Sequence, residues 1–146
     1  MTGFDVIVVG GGLSGTQAAL RVAELGGNVC LVEKEKIGKR GFLKRNILFT
    51  KYRHGNGYDS IKWSEQLDKQ EKLAEEYSDS LKEKLEKAGV VLVEGYGNLA
   101  SVNEILVQRM DKSQLIKGRS IILAWGSEPF FPSTLPREEQ VIVAID

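Results

Sequence analysis

The apolar positions of this chain fall into runs and stripes of distinct period. Phe4-Asp5-Val6-Ile7-Val8-Val9 and Val29-Cys30-Leu31-Val32 are nearly unbroken runs of β-formers, the signature of parallel strands covered on both faces. They predict strands over Phe4–Val9 and Asn28–Val32. Between them, Ala18, Ala19, Leu20 and Ala23 alternate with Gln17, Arg21 and Glu24 at helical spacing, which predicts a helix from Ser14 to Leu25. Gly26-Gly27 ends it, one of the pair taking the left-handed position after the last turn. A longer stripe follows, with Trp63, Leu67, Ala74, Tyr77, Leu81, Leu85 and Ala88 recurring mostly at three- and four-residue steps. It predicts a helix over 63–88, stopped by Gly89. Glu65–Lys69, Asp68–Lys72 and Glu83–Lys87 support it as i,i+4 pairs in the favourable order, each worth about 0.2–0.5 kcal/mol. Val90 to Val93 reads as a third buried strand.

Beyond Asn98 the segments shorten. Glu104–Gln108 and Gln114–Lys117 read as strands of a small antiparallel layer over about 98–118, separated by the turn Asp111-Lys112-Ser113. Ser120–Ala124 reads as a separate apolar strand ending at Trp125-Gly126-Ser127. Pro129, Pro132 and Pro136 mark a loop, and Val141–Ala144 a last strand. Strands alternating with helices predict an α/β fold: one domain over 1–146, a central parallel sheet with flanking helices, and the antiparallel layer beside it.

Composition narrows the function classes. With 20 basic and 20 acidic residues the charges cancel, so the overall charge calls for neither nucleic acid nor a membrane surface as partner. The N-terminus reads as a strand and no stretch is apolar enough to cross a bilayer; the expected location is cytoplasmic. Cys30 is the only cysteine, which excludes an internal disulfide and a cysteine-rich metal site; inside a strand it reads as an inert core residue. No metal ligand set is expected. The one basic segment, 34–60, interleaves Lys34, Lys36, Lys39, Arg40, Lys44, Arg45, Lys51 and Arg53 with Phe42, Leu43, Ile47, Leu48 and Phe49. It is a solvated amphipathic helix or a positive wall beside cofactor phosphates; a nucleic-acid patch is the weaker reading, since the rest of the chain balances the charge. His54, the only histidine, stands in a loop and takes no catalytic role.

The chemistry lies at the end of the first strand. Val9 runs directly into Gly10-Gly11-Gly12-Leu13-Ser14-Gly15, and the second strand closes on Glu33. Strand, G-x-G-x-x-G, helix, strand and acid together form the dinucleotide-binding fingerprint. Gly10 makes the tight turn, Gly12 lets a pyrophosphate approach the backbone, and Gly15 allows close helix–strand packing. The free N–H groups near Leu13 and Ser14 favour an anion. Glu33 suits ribose hydroxyls, and an acid there favours FAD or NAD over a 2′-phosphorylated cofactor.

On these motifs, with Leu31-Val32-Glu33-Lys34, Leu85-Glu86-Lys87-Ala88-Gly89-Val90 and Ala124-Trp125-Gly126-Ser127-Glu128-Pro129, the chain resembles the FAD-binding part of the two-cysteine pyridine nucleotide–disulfide oxidoreductases. Within that family it looks most like the dihydrolipoamide dehydrogenases. The resemblance covers the whole chain and implies a Rossmann-like FAD-binding domain. It implies that the acid matching Glu33 holds the adenosine ribose with Lys34 beside it. Backbone near Tyr96-Gly97 would meet the adenine, and the Trp125-Gly126 turn would lie near the cofactor.

The chain departs from the family in three places. The two redox cysteine positions fall on Gly41 and Asn46, and the lysine position on Thr50 with Lys51 beside it; thiol exchange with a flavin needs a thiolate. Trp125 stands where the family carries threonine. The family's nicotinamide, second FAD and dimerisation segments find no counterpart among these 146 residues. The expectation is a FAD-binding flavoprotein domain without catalytic residues of its own. It would be a fragment or split subunit of an oxidoreductase, with a second chain supplying the nicotinamide and dimerisation domains. A non-catalytic adenine-nucleotide-binding or interaction module and an NAD-dependent oxidoreductase are the alternatives.

Overall fold

β1 (Phe4–Val9) lies inside the sheet, with a neighbour on each side. The structure, a computed structural model, describes residues 3–41, 63–110 and 112–127, with the side chains of 63–67 outside that description. β2 (Val29–Glu33) pairs parallel with β1 from Val6↔Val29 to Val9↔Val32. β3 (Val91–Glu94) pairs parallel with β2. On the other side of β1 runs β6 (Lys112–Leu123), followed by β5 (Glu104–Arg109) and β4 (Tyr96–Ser101), giving the order β3-β2-β1-β6-β5-β4.

β6 serves both parts of the sheet. Its first half pairs antiparallel with β5, from Arg109↔Lys112 to Glu104↔Lys117. From Gly118 onward it pairs parallel with β1, ending at Val9↔Leu123. The expected separation of Gln114–Lys117 from Ser120–Ala124 is therefore wrong: one strand spans both. Gly118, which stands between the two expected segments, is the residue at which β6 comes close to β1. A Cβ there would lie 2.7 Å from Cγ1 of Ile7. Lys112 and Ser113, expected in a turn, belong to the strand, and the positive φ of 48° falls on Met110 instead. β4, from Tyr96 to Ser101, is a strand that the sequence reading does not include. β3 occupies the sheet edge rather than a buried position, with Val91 43% exposed.

Helix α1 (Leu13–Glu24) and helix α2 (Trp63–Lys87) cover one face. Both end as the sequence predicts, on left-handed glycines with φ of 80° at Gly26 and 83° at Gly89. The continuous apolar run of β1 follows from a core on each side. Val8 packs with Ala19, Leu20, Leu31, Leu81 and Leu85 beneath the helices. Ile7 and Val9 pack with Cys30, Val32, Ile105, Val107 and Ile116 beneath the antiparallel layer. Full burial of each large apolar side chain contributes about 1.5–3 kcal/mol. The α2 stripe is Ala74, Tyr77, Ser78, Leu81 and Leu85; Ser78 is buried, whereas Ala88, expected in the stripe, is exposed. Glu83–Lys87 forms its expected ion pair at 2.6 Å.

Trp63 and Leu67 as side chains, the basic segment beyond Gly41 with Asn46, Thr50, Lys51 and His54, the proline loop and Val141–Ala144 lie outside the described residues. Among the described residues no helix is long and apolar enough to cross a membrane.

Candidate functional site

The carboxyl ends of β1, β2 and β6 converge at one edge of the sheet, the edge at which open α/β sheets take their ligands. Gly10 leaves β1 with φ 107° and donates its N–H to Val32 O at 2.8 Å. Opposite it, Ala124 N–H donates to Val9 O at 2.7 Å. These bonds press the Ala124-Trp125 backbone onto Gly10: a Cβ at Gly10 would lie 2.3 Å from Ala124 O and 2.8 Å from Cα of Trp125. Gly15 is tighter still, since a Cβ there would sit 1.8 Å from Gly10 O. The turning and packing tasks expected of these glycines are both visible.

Gly12 differs. It is the residue before the first turn of α1, in extended conformation, and a Cβ on it would meet nothing within 4 Å. No side chain caps the helix and no acid stands in its first turn. Among the described residues the first-turn N–H groups thus have no capping side chain, and Leu13 and Ser14 are exposed. Thr16 is buried, and its hydroxyl donates to Gly12 O at 2.9 Å and Leu13 O at 3.0 Å, fixing the turn from beneath. A rigid, uncapped N-terminus of this kind favours an anion by hydrogen bonding and by the helix dipole.

The Glu33 carboxylate is fixed beside that turn. One oxygen accepts from Gly11 N–H and the other from Glu35 N–H at 2.9 Å. Gly11 O accepts in turn from Gly38 N–H at 2.8 Å, so the chain after β2 folds back over the glycine turn. Gly38 has φ 73°, and a Cβ there would lie 2.8 Å from Cδ2 of Leu81 and 3.0 Å from Cε1 of Tyr77. Lys36 and Lys39 hold Glu75 of α2 at 2.8 and 3.0 Å. Hydrogen bonding from these lysines, Lys36 first, keeps the Glu75 carboxyl below its usual range, and the bond to Glu75 raises Lys36. The long helix thereby supports one wall of the site from outside it.

Two hollows open at this edge. The larger, about 410 Å³, lies among Val9, Gly10, Val32, Glu33, Lys34, Arg40, Gly95–Leu99 and Trp125–Ser127. The smaller, about 290 Å³, lies among Gly10–Gly12, Glu33–Lys36, Gly38, Arg40, Gly41 and Ala124–Ser127. Gly10, Glu33, Lys34, Arg40 and Trp125–Ser127 line both, so the hollows form one two-lobed cleft of the size usual for small-molecule sites.

Of the residues expected from sequence, Gly10, Glu33, Lys34, Trp125 and Gly126 line both lobes, Tyr96 and Gly97 the larger and Gly12 the smaller. Leu13 and Ser14 stand at the adjoining helix start, and Gly15 is buried beneath the turn. The Lys34 ammonium lies 5.7 Å from the Tyr96 ring centroid. Gly97 is glycine for a packing reason, because a Cβ would lie 2.9 Å from Cγ1 of Val9. Sequence reasoning missed Gly11, Gly38, Asn98, Leu99 and Ser127. It left Arg40 within the basic segment, and Arg40 lines both lobes. Gly41, where the family carries its first cysteine, lines the smaller lobe. Cys30 is fully buried in β2, and burial pushes its thiol up to about 12.

The family described as pyridine nucleotide-disulphide oxidoreductase matches residues 4–145. The dihydrolipoyl dehydrogenase of Acholeplasma laidlawii is 27% identical over 146 aligned positions, covering 88% of this chain and 42% of that protein. The mitochondrial dihydrolipoyl dehydrogenase of Bos taurus is 30% identical, covering 94% of this chain and 31% of its own. The chain spans less than half the length of these relatives. Among solved structures, a mutant of the HOCl-induced flavoprotein disulfide reductase RclA from Escherichia coli, in complex with Cu(II), superimposes with a TM-score of 0.71. It is 16% identical, with 91% of this chain and 31% of that one covered. At that identity the likeness is one of fold.

Proposed function

Since the chain belongs to the pyridine nucleotide-disulphide oxidoreductase family, whose members bind FAD, we propose that its cleft holds the adenosine diphosphate half of that cofactor. The domain is similar to that of dihydrolipoamide dehydrogenase. The observation that carries the reading is the uncapped helix start with open space above Gly12, beside a carboxylate already fixed in place.

FAD, when bound, supplies the two-electron redox chemistry; the protein supplies binding and electrostatics. The N–H groups at Leu13 and Ser14 donate to the pyrophosphate. Glu33 has lone pairs left for the ribose hydroxyls after its two backbone bonds, and those bonds spare it the entropy of becoming ordered on binding. Lys34 and Arg40 offset the phosphate charge, and the stretch from Tyr96 to Leu99 bounds the adenine. The N-terminal fingerprint therefore reads as a preformed anion-and-ribose cradle.

The reaction is incomplete within this chain. Disulfide exchange needs a thiolate, and the one cysteine is buried at the sheet core with its thiol held protonated. Gly41 and Asn46 occupy the family's redox-cysteine positions. We therefore place the chain as the cofactor-binding part of an oxidoreductase, without disulfide redox activity of its own. The nicotinamide and dimerisation functions would be supplied elsewhere, by a second chain. Titration with FAD, followed by calorimetry, tests this. Wild type should bind, Glu33→Ala should bind at least about tenfold more weakly, and the loaded protein should not turn over NADH with lipoamide. Equal affinity of the two proteins would remove the ribose assignment, and steady turnover would remove the claim of incompleteness.

A further inference from the structure

Among the described residues, the aromatic side chains left largely exposed are Tyr96, at 55%, and Trp125, at 59%. Both line the larger lobe of the same cleft. Single exposed apolar side chains are ordinary, but two aromatic faces lining one concavity form a shared apolar surface of the kind found in binding grooves. Tyr96 already carries the Lys34 ammonium over its ring at 5.7 Å. Trp125 is the larger face, and it is the residue at which the chain departs from its family's threonine.

The backbone of Trp125 is held rigidly. It follows Ala124, whose N–H bonds to Val9 O at 2.7 Å. Its Cα packs against Gly10 so closely that no Cβ would fit on that glycine. Gly126, with φ 79°, turns the chain away immediately afterwards. The indole is thus presented from the end of a strand rather than from a free loop. It does not fill the cleft, because the volume of about 410 Å³ is what remains with the indole in place.

We infer that Trp125 is a ligand-binding residue whose indole stacks on the purine of an adenine nucleotide and thereby sets the site's preference for ADP-containing ligands. Stacking on a flat aromatic face adds affinity without hydrogen-bond readout, and it acts on the adenine whatever is attached to the second phosphate. Free ADP is then a ligand in its own right and competes with FAD. This inference rests on the reading of the cleft as a dinucleotide site, but it separates from it by experiment.

The test uses the full chain and 5′-ADP as probe, in wild type, Trp125→Phe and Trp125→Thr. Circular dichroism first establishes that each variant is folded. Affinity is read by calorimetry, and the tryptophan emission that is lost in Trp125→Phe is followed during ADP titration of wild type. The expected result is quenching of that emission by ADP, an affinity within about threefold for Trp125→Phe, and a loss of at least about tenfold for Trp125→Thr. Binding by Trp125→Thr within twofold of wild type, or tighter, overturns the inference, because the indole is then idle or obstructive. A Trp125→Phe variant as weak as Trp125→Thr, unquenched emission, or no ADP binding by wild type also overturns it. Should Trp125→Thr fail to fold, quenching and the Phe variant decide alone. Wild type that binds ADP with quenching but retains no FAD would overturn the flavoprotein reading and leave this one standing. FAD retained equally by wild type and Trp125→Thr would do the reverse.

Discussion

Gly15 lies against Gly10 so closely that a Cβ on Gly15 would sit 1.8 Å from the Gly10 carbonyl oxygen and 3.3 Å from Cβ of Ala124. The obstacle is backbone, so no rotamer change relieves it. Gly15→Ala should therefore push α1 off the strand and cost at least about 3 kcal/mol of stability, measured by urea unfolding. Gly12→Ala is the contrasting case, because a Cβ there meets nothing within 4 Å. It should change stability by less than about 1 kcal/mol while weakening nucleotide binding at least about tenfold, the added methyl occupying the phosphate's approach. Unchanged nucleotide affinity would mean that the space above Gly12 is not used.

Glu33 owes its position to backbone donors at Gly11 and Glu35. A glutamine keeps one acceptor oxygen and loses the charge. Glu33→Gln should thus weaken FAD less than Glu33→Ala, with both weaker than wild type, as read by calorimetry. A Gln variant weaker than the Ala variant would contradict this order.

The grip of Lys36 and Lys39 on Glu75 makes the support of the cleft wall pH-dependent. Because the folded-state pKa of Glu75 is lowered, its contribution is fully present above the ordinary glutamate value. It is lost as pH falls below that value and through the lowered one. The melting temperature of wild type should exceed that of Glu75→Gln at about pH 7, and the difference should shrink as pH falls below the ordinary glutamate value. The side chains are half exposed, so the effect is small and should fall with added salt. A difference that grows on acidification would contradict the assignment.

Cys30 is fully buried and its thiol is pushed up to about 12 by desolvation. At pH 8 the native protein should react with a thiol-specific disulfide reagent at least about a hundredfold more slowly than the unfolded chain. Fast labelling of the native protein would show that β2 opens readily or that the thiol is accessible.

The β1–α1–β2 unit was legible because three independent signals agree there: apolar runs of strand length, a helical period between them, and glycines at fixed spacing. Residues whose reason lies across the fold were not legible. Gly118 stands between the two expected segments, and the reason for a glycine there is contact with Ile7, a relation across 111 positions that no local pattern contains. Ser78 is polar by type, yet it is buried between Ala74 and Leu81. Tyr96 to Ser101 has mixed polarity and a glycine, so no local pattern marks β4 as a strand. In the cleft, glycines and the acid are legible by motif, whereas Gly38 and Arg40 belong to a segment that folds back through the Gly38–Gly11 bond and the docking of Lys36 and Lys39 on Glu75. That docking joins segments far apart in sequence.

Whether this chain holds FAD is read from its visible absorption spectrum. Purified protein incubated with excess FAD and then desalted should keep flavin absorption bands in proportion to protein, and ADP added before desalting should reduce them. A colourless protein after that treatment would contradict the account.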